Sequence, residues 1–436
     1  MRAADVVVQL LVEHQVAYIF GVPGDTSMTF HHALEKYSDK IKYVACRDER
    51  HAVYMADTYA RVSGKPGVVD VPSGGGLLYA VPGLSEATSS SIPVICISSD
   101  ISMSSEGTGA LTELKQEEVT RAVTKWNTTI KQSAQIPRVI HKAVRIAVGG
   151  RPGAVHISIP ENIHEEKLPI KQLDCFGVDA KQYCYRNAPL QEDVEKISTM
   201  IFQSKRPVIL AGGGVHLSEA YDDLEKLAKS FNIPVATTIN GKGSINETLD
   251  QAVGVIGVNG GSEETNHIIK QSDFVLVLGS KLNNVTTVAK TLFKSSPIIV
   301  QVDISEEILD LNVKTNLSIM CDIKSFLKEL NASMEKQASA SFNLFDWIKE
   351  YQTSKKQKWK RIQTEAEAET VKVNPGKVVY KLNELTNKNT IFVIDAGTQT
   401  PYMAANFILK QPGRKMVFDR GHGNLGYALS AAIGAK

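Results

Sequence analysis

No stretch of this sequence is apolar for long enough to span a bilayer, and its first residues lack the basic start and apolar run of a secretory leader. An excess of charge of one sign is missing too. Lys and Arg total 49 against 47 Asp and Glu, a formal net charge of +2, so no basic field points to nucleic acid or an anionic membrane. Cysteine is scarce: Cys46, Cys96, Cys175, Cys184 and Cys321 are odd in number and scattered, with no CxxC pair to suggest zinc or a redox motif. The expectation is a cytoplasmic protein with reduced, mostly buried thiols. What remains is an ordinary globular composition, 43% hydrophobic and 22% charged over 436 residues. That length suffices for roughly two to four domains.

The most informative stretch is CRDERHAVYMADTYARVSGKP, residues 46–66. It follows the apolar run 41–45. Ala52, Val53, Ala56, Tyr59 and Ala60 then recur at the spacing of a helix with one buried face. Gly64 and Pro66 end that helix. Glu49 leads the same stripe. An acid in a first turn commonly just complements the positive helix end, a gain of about 0.3–1 kcal/mol. The surrounding chain offers a second role, in which the carboxylate serves a ligand.

Around Glu49, strand and helix alternate strictly: 17–20, the turn GVPGD at 21–25, a helix to about residue 37, then 41–45 and the Glu49 helix. GVVDVP leads into Ser73 and three glycines, and a helix precedes PVICISSD. This order predicts a parallel sheet covered on both faces, in which ligands bind beyond the carboxyl ends of the strands. The 21–25 turn, Glu49 and the glycine run all fall there. Thr108, Thr112 and Gln116 lie in a polar stretch that could cover the site. A helix over 138–148 and the strand in RPGAVHISIPEN complete a first domain, residues 1–165.

Residues 166–190 read as a linker, and 191–335 as a second doubly wound domain. Its glycines 212–214 resemble a dinucleotide fingerprint, but Leu217 stands where the third glycine belongs. A tight strand-to-helix turn is the favoured reading. Residues 336–373 read as a solvated polar helix and linker. From Asn374 the opening order repeats: helix, the strand IFVID, the turn AGTQT, a helix, the strand KMVF, the loop GHGNLG and a helix start. The next strand of that repeat would begin after Lys436. The expectation is therefore α/β, with three doubly wound parallel-sheet domains in sequence. The last, 374–436, is expected to be incomplete because the chain is a fragment, or else is completed by a partner chain.

Two related domains flanking a third is the plan of the thiamine-diphosphate-dependent superfamily of acetohydroxyacid (acetolactate) synthases, benzoylformate decarboxylases and pyruvate decarboxylases. The chain resembles it in motif order across nearly its whole length. FGVPGD resembles the first pyrimidine-side turn, which implies cofactor contacts for Pro23 and Gly24. RDERHAVYMADTYARVSGKPGV is similar to the helix that carries the cofactor-activating glutamate, which maps to Glu49. VDVPSGGG implies a role for Ser73. RPVILAGGG, IPVATTINGKG and DFVLVLGS look like the central domain. IDAGTQT resembles the diphosphate-side turn, at Gly397, Thr398 and Gln399. GHGNLGYALSAAIGA resembles the segment under the thiazolium ring, with Leu425 as its apolar wedge.

The resemblance implies thiamine diphosphate and Mg2+ as cofactors, with the metal motif expected beyond Lys436. It implies a catalytic Glu49 whose carboxyl group, hydrogen-bonded to the pyrimidine, promotes the tautomer that deprotonates the thiazolium carbon. It further implies a small 2-keto acid such as pyruvate as substrate. A homodimer or homotetramer with the active site between chains follows, so that a monomer would be inactive, and without the metal motif the chain alone is expected to bind the cofactor poorly and to be inactive. Departures are also legible. The loop Gln of the synthases is replaced, with Thr112 in its place as the substrate-side residue. GSKLNNV does not match the flavin-contacting residues, so the resemblance gives no support for bound FAD. The His pair of pyruvate decarboxylases is not evident, and His31 and His32 are expected on a helix surface. Acyl-CoA decarboxylation on the same scaffold, and a non-catalytic binding relative, stay open as alternatives.

Overall fold

Strands that read as unbroken apolar runs become the interiors of parallel sheets. In the computed structural model the described residues are 1–168, 186–295, 297–337, 342–369 and 372–436. They divide into two units, Met1–Tyr185 with Asp419–Lys436, and Arg186–Phe418. The expected linker lies largely outside the described residues, as do Cys175 and Cys184. Cys46, Cys96 and Cys321 are free thiols.

The first unit holds β1 (Tyr18–Gly21), β2 (Lys42–Ala45), β3 (Gly67–Val71), β4 (Val94–Asp100), β5 (Trp126–Thr129) and β6 (Ala154–Pro160). They form one sheet in the order β2-β1-β3-β4-β6-β5, with every pairing parallel. β3 and β6 are buried along their whole length, and β4 all but its last residue, because helices cover both faces. One face packs against the helices Ala3–Glu13 and Ile136–Val148. The other carries the helices Glu49–Ser63 and Gly75–Ser89. Those two helices cross closely, since a Cβ on Gly83 would stand 2.5 Å from the Cβ of Val53. Burying Val53 fully contributes roughly 1.5–3 kcal/mol. The edge strand β5, sequence WNTT, is half-buried and has no apolar run to announce it.

The C-terminal helix Tyr427–Ala435 lies along the Glu49 helix. Gly434 makes this possible, because a Cβ there would meet the Met55 carbonyl at 2.1 Å. A buried polar cluster holds the same segment. The Tyr427 hydroxyl bonds Asp57 and Thr58, and Arg61 pairs with Asp57 at 2.7 Å and Glu86 at 3.3 Å. Glu86 accepts from the amides of Gly421 and His422 at 3.0 and 2.7 Å.

The second unit holds β7 (Pro207–Ala211), β8 (Val235–Thr237), β9 (Ala252–Val255), β10 (Phe274–Leu278), β11 (Ile298–Asp303) and β12 (Leu317–Met320). Their order is β12-β11-β10-β7-β8-β9, again all parallel. A small third sheet pairs β13 (Phe392–Ile394) with β14 (Met416–Phe418). The segment expected as a solvated helix is instead packed along one face. In the helix Phe345–Glu367, Trp347, Tyr351, Lys358, Ile362 and Ala366 are buried, and the Trp347 indole donates to the Pro207 carbonyl at 3.0 Å. The buried residues are spaced at helical intervals, but so many Lys, Gln and Glu intervene that the stripe is diluted. Among the described residues no helix is long and apolar enough to cross a membrane.

Candidate active site

The carboxyl ends of β1, β2 and β3 carry three loops that meet. Glu49 opens its helix directly after the cap residue Asp48, whose carboxylate accepts the Arg50 amide at 2.8 Å. Its side chain is turned inward, and the residue is 8% exposed. Burial pushes the Glu49 carboxyl above the usual carboxylate range, its own helix-start amide opposes this, and the nearby Asp48 charge adds to the rise.

Pro72, at the end of β3, is the hub of the loops. A Cβ on Gly24 would stand 2.5 Å from the Cβ of Pro72, and one on Gly76 would stand 2.6 Å from its ring and 3.1 Å from Oε1 of Glu49. Only residues without side chains let the 21–27 turn and the start of the Gly75 helix close on Pro72 and Glu49. Gly75 is exposed and faces open space: a Cβ there meets nothing within 4 Å.

Ser73 ties the loops together. Thr26 Oγ1 donates to Ser73 Oγ at 3.2 Å and accepts from the Ser73 amide at 3.2 Å. Ser73 Oγ and Thr112 Oγ1 are 2.7 Å apart. Gly74, at φ +62, packs against Thr112, itself at φ +67. For a β-branched residue that conformation costs roughly 1–2 kcal/mol, so the surrounding contacts must hold it.

Gly24, Glu49, Ser73 and Thr112 are thus brought together in the first unit, with Pro23 exposed on the same turn. Leu425 belongs to this unit too and is 79% exposed, just before the C-terminal helix. Gly397, Thr398 and Gln399 lie in the second unit at the carboxyl end of β13, all exposed, where the Gln399 amide donates to the carbonyls of Asp395 and Ala396 at 2.9 and 3.2 Å. Gln116 does not cover the site. It is buried at the end of β4, donating to the Ser99 carbonyl at 3.0 Å.

His31 departs from its expected place. Its side chain is only 20% exposed, and Nε2 stands 2.8 Å from Asp70, whereas His32 is exposed as expected. The cause is Asp70, a carboxylate on the buried strand β3 that takes His31 and the Tyr43 hydroxyl as partners. Burial raises the Asp70 proton affinity, and those hydrogen bonds pull it back. An acid inside an apolar strand was the sequence signal for a buried partner. Thr26 and Pro72 were also missed. Nothing local distinguishes them, because their roles depend on loops far apart in sequence.

The glycines 212–214 behave differently. The amides of Gly212 and Gly214 donate to the carbonyls of Leu278 and Gly279 at 2.8 and 3.1 Å, so they are not directed at a phosphate. They let the loops after β7 and β10 touch, since a Cβ on Gly212 would meet the Gly279 carbonyl at 2.2 Å.

A parallel sheet with a buried acid and glycine-lined loops at its carboxyl ends, followed by a second such sheet, defines a class that comparison with known proteins makes specific. Residues 1–119 match the family described as thiamine pyrophosphate enzyme, N-terminal TPP binding domain, and residues 194–330 match thiamine pyrophosphate enzyme, central domain. Over the whole chain it is 31% identical to the "Probable acetolactate synthase large subunit" of Methanococcus aeolicus, covering 74% of that protein. It is 30% identical to the acetolactate synthase large subunit of Lactococcus lactis subsp. lactis, over 99% of this chain and 73% of that one. Against acetolactate synthase 1, chloroplastic, of Nicotiana tabacum it is 32% identical over all of this chain and 64% of the relative. The chain belongs to the acetolactate synthase-like family of thiamine pyrophosphate enzymes.

The residues present fit the pyrimidine half of that cofactor. Glu49 offers a buried carboxyl of raised proton affinity, against which the Gly76 backbone closes. For the metal the fit is lacking: among the described residues no three His, Cys, Asp or Glu stand together to hold an ion.

Proposed function

We propose that this chain serves thiamine-diphosphate-dependent decarboxylation or carboligation of a 2-keto acid such as pyruvate, in the manner of an acetolactate synthase. The observation that carries this reading is the buried carboxyl of Glu49 at the junction of the three first-unit loops. Bound thiamine diphosphate would supply a nucleophilic carbon and an electron sink. The chain's own contribution is positioning and proton management. Glu49, kept protonated more readily by its burial, would donate a hydrogen bond to the pyrimidine ring. Pro23, Gly24 and Ser73 would shape the pyrimidine side, and Thr112 the substrate side. Gly397, Thr398 and Gln399 would receive the diphosphate, and Leu425 would lie under the thiazolium ring. Residues 1–165, 191–335 and 374–436 would form the pyrimidine, central and diphosphate domains. The working form would be a cytoplasmic homo-oligomer in which two copies share each site.

The test is Glu49→Gln in the full-length protein, assayed with thiamine diphosphate, Mg2+ and pyruvate by release of carbon dioxide. We expect unchanged folding by circular dichroism and a loss of turnover of at least about tenfold, the low side of what a missing acid–base group costs. Undiminished turnover would remove Glu49 from the mechanism. An acyl-CoA run in parallel separates the two substrate classes.

A further inference from the structure

The hydroxyl groups of Thr26, Ser73 and Thr112 can be assigned a single proton order. Thr112 Oγ1 lies 2.6 Å from the Leu111 carbonyl and donates to it. A hydroxyl has one hydrogen, so Ser73 Oγ must donate to Thr112 across their 2.7 Å contact. Thr26 Oγ1 in turn donates to Ser73 Oγ and accepts from the Ser73 amide, both at 3.2 Å. The sequence of donors is therefore Ser73 N–H, Thr26 O–H, Ser73 O–H, Thr112 O–H, ending on a carbonyl. Every hydrogen is in use, and each link polarises the next. Ser73 and Thr112 consequently have no hydroxyl hydrogen left for a ligand. Their work is to hold loops.

The loop that Thr112 anchors is otherwise organised from within. Glu113 accepts from the amides of Gly107, Gly109 and Ala110 at 2.6, 2.9 and 3.2 Å, and Thr108 donates to the Ser105 carbonyl at 2.7 Å. Thr112 connects this self-contained turn to Ser73, beside the Gly76 that lies against Glu49. Thr26 sets the orientation of Ser73 at both its amide and its hydroxyl.

We propose that Thr26 is a positioning residue: its hydroxyl orients Ser73 so that Ser73 latches Thr112, and the 107–113 loop is thereby held against the 73–76 turn that borders Glu49. This rests on the reading of the Glu49 region as the active site, and the experiment separates the two ideas. Thr26→Val keeps the shape and removes the hydroxyl, and Thr26→Ser restores it. Hydrogen exchange is measured on the full chain at the Ser73 amide and over residues 107–113. Apparent KM and kcat for pyruvate are measured on the full-length protein with thiamine diphosphate and Mg2+.

The expectation for Thr26→Val is exchange faster by about fivefold to tenfold at both places, the size expected for one or two lost hydrogen bonds. The apparent KM should rise by a similar factor while kcat changes less, and Thr26→Ser should restore both. Unchanged exchange in Thr26→Val, or a Thr26→Ser protein that behaves like Thr26→Val, would overturn the positioning role. If Thr26→Val does not fold, Thr112→Val decides. It should accelerate exchange over 107–113 and leave the Ser73 amide protected by Thr26, and a loop unaffected by it would equally sink the proposal. If the unaltered full-length protein does not turn over pyruvate, the functional reading fails, and the exchange result still judges Thr26.

Discussion

Two glycine runs, 74–76 in the first unit and 212–214 in the second, follow a buried parallel strand and open a helix, yet they are used in opposite ways. In the first, Gly76 brings the backbone against Pro72 and Glu49, and Gly75 faces open space. In the second, Gly212 and Gly214 press onto Gly279, and their amides donate to the neighbouring loop. One run lies against the buried acid with one glycine open, and the other closes a seam. A glycine-rich turn is therefore not a ligand site by composition. What decides is where a Cβ would point and whether the amides already have acceptors.

The contrast can be broken most forcefully at the seam. Gly212→Ala forces a Cβ to within 2.2 Å of a backbone carbonyl, an obstacle that no side-chain rotation relieves. We expect a loss of about 3 kcal/mol, the upper part of the usual range for overpacking, read by urea denaturation. A cost below about 1 kcal/mol would show that the β7 and β10 loops part easily, and the seam would then be open to a ligand after all.

The units also bury charge differently. In the second, Lys242 pairs with Glu247 at 2.8 Å and a second buried lysine, Lys358, feels both charges, so bases outnumber the acid. In the first, Asp57, Glu86 and Asp419 crowd around Arg61. Burial and the hydrogen bond to Glu86 push Asp419 up to about 9. Burial alone would raise Glu86 as well, but the bond from Asp419 and the Arg61 charge bring it down to about 2. Asp419 is thus the protonated partner. Because its folded affinity for the proton exceeds the unfolded one, this contribution to stability is full below the ordinary carboxylate value. It declines as pH rises toward about 9. Asp419→Asn should keep the hydrogen bond without the proton. Its expected signature is slower hydrogen exchange in the C-terminal helix at pH 8 than in the unaltered chain, with the difference vanishing near pH 4. Equal exchange at both pH values would mean that the cluster holds its segment by packing alone.

These particulars show what could be read before the fold. Unbroken apolar runs such as FVLVL and PVILA announced their strands, because a parallel sheet buries both faces and tolerates little else. Glu49 was legible because a helical stripe and a strand end bracket it. The half-buried WNTT and the Trp347 helix were not, since their burial depends on which neighbour they meet. Asp70 carried a usable signal in being charged within a buried strand, and His31 is the partner that signal required. The hydroxyl relay from Thr26 to Thr112 joins residues far apart in sequence, and no local pattern encodes it.

The smallest expected change in stability tests the comparison most finely. Alanine at Gly75 meets nothing within 4 Å, and at Gly213 only ordinary contacts at 3.5 Å and beyond. Neither glycine has a positive φ, so both substitutions should be neutral or stabilising by about 0.4–1 kcal/mol through the unfolded chain. Their effects on ligand binding should differ. If the space before Gly75 belongs to the cofactor, a methyl group there weakens thiamine diphosphate binding severalfold in a calorimetric titration of the full-length protein with Mg2+, while Gly213→Ala leaves it unchanged. Tight binding retained by Gly75→Ala would mean that the open space is merely solvent. Glu49 would then have to meet its ligand from the side of the 21–27 turn, with Gly24 rather than Gly75 setting the approach.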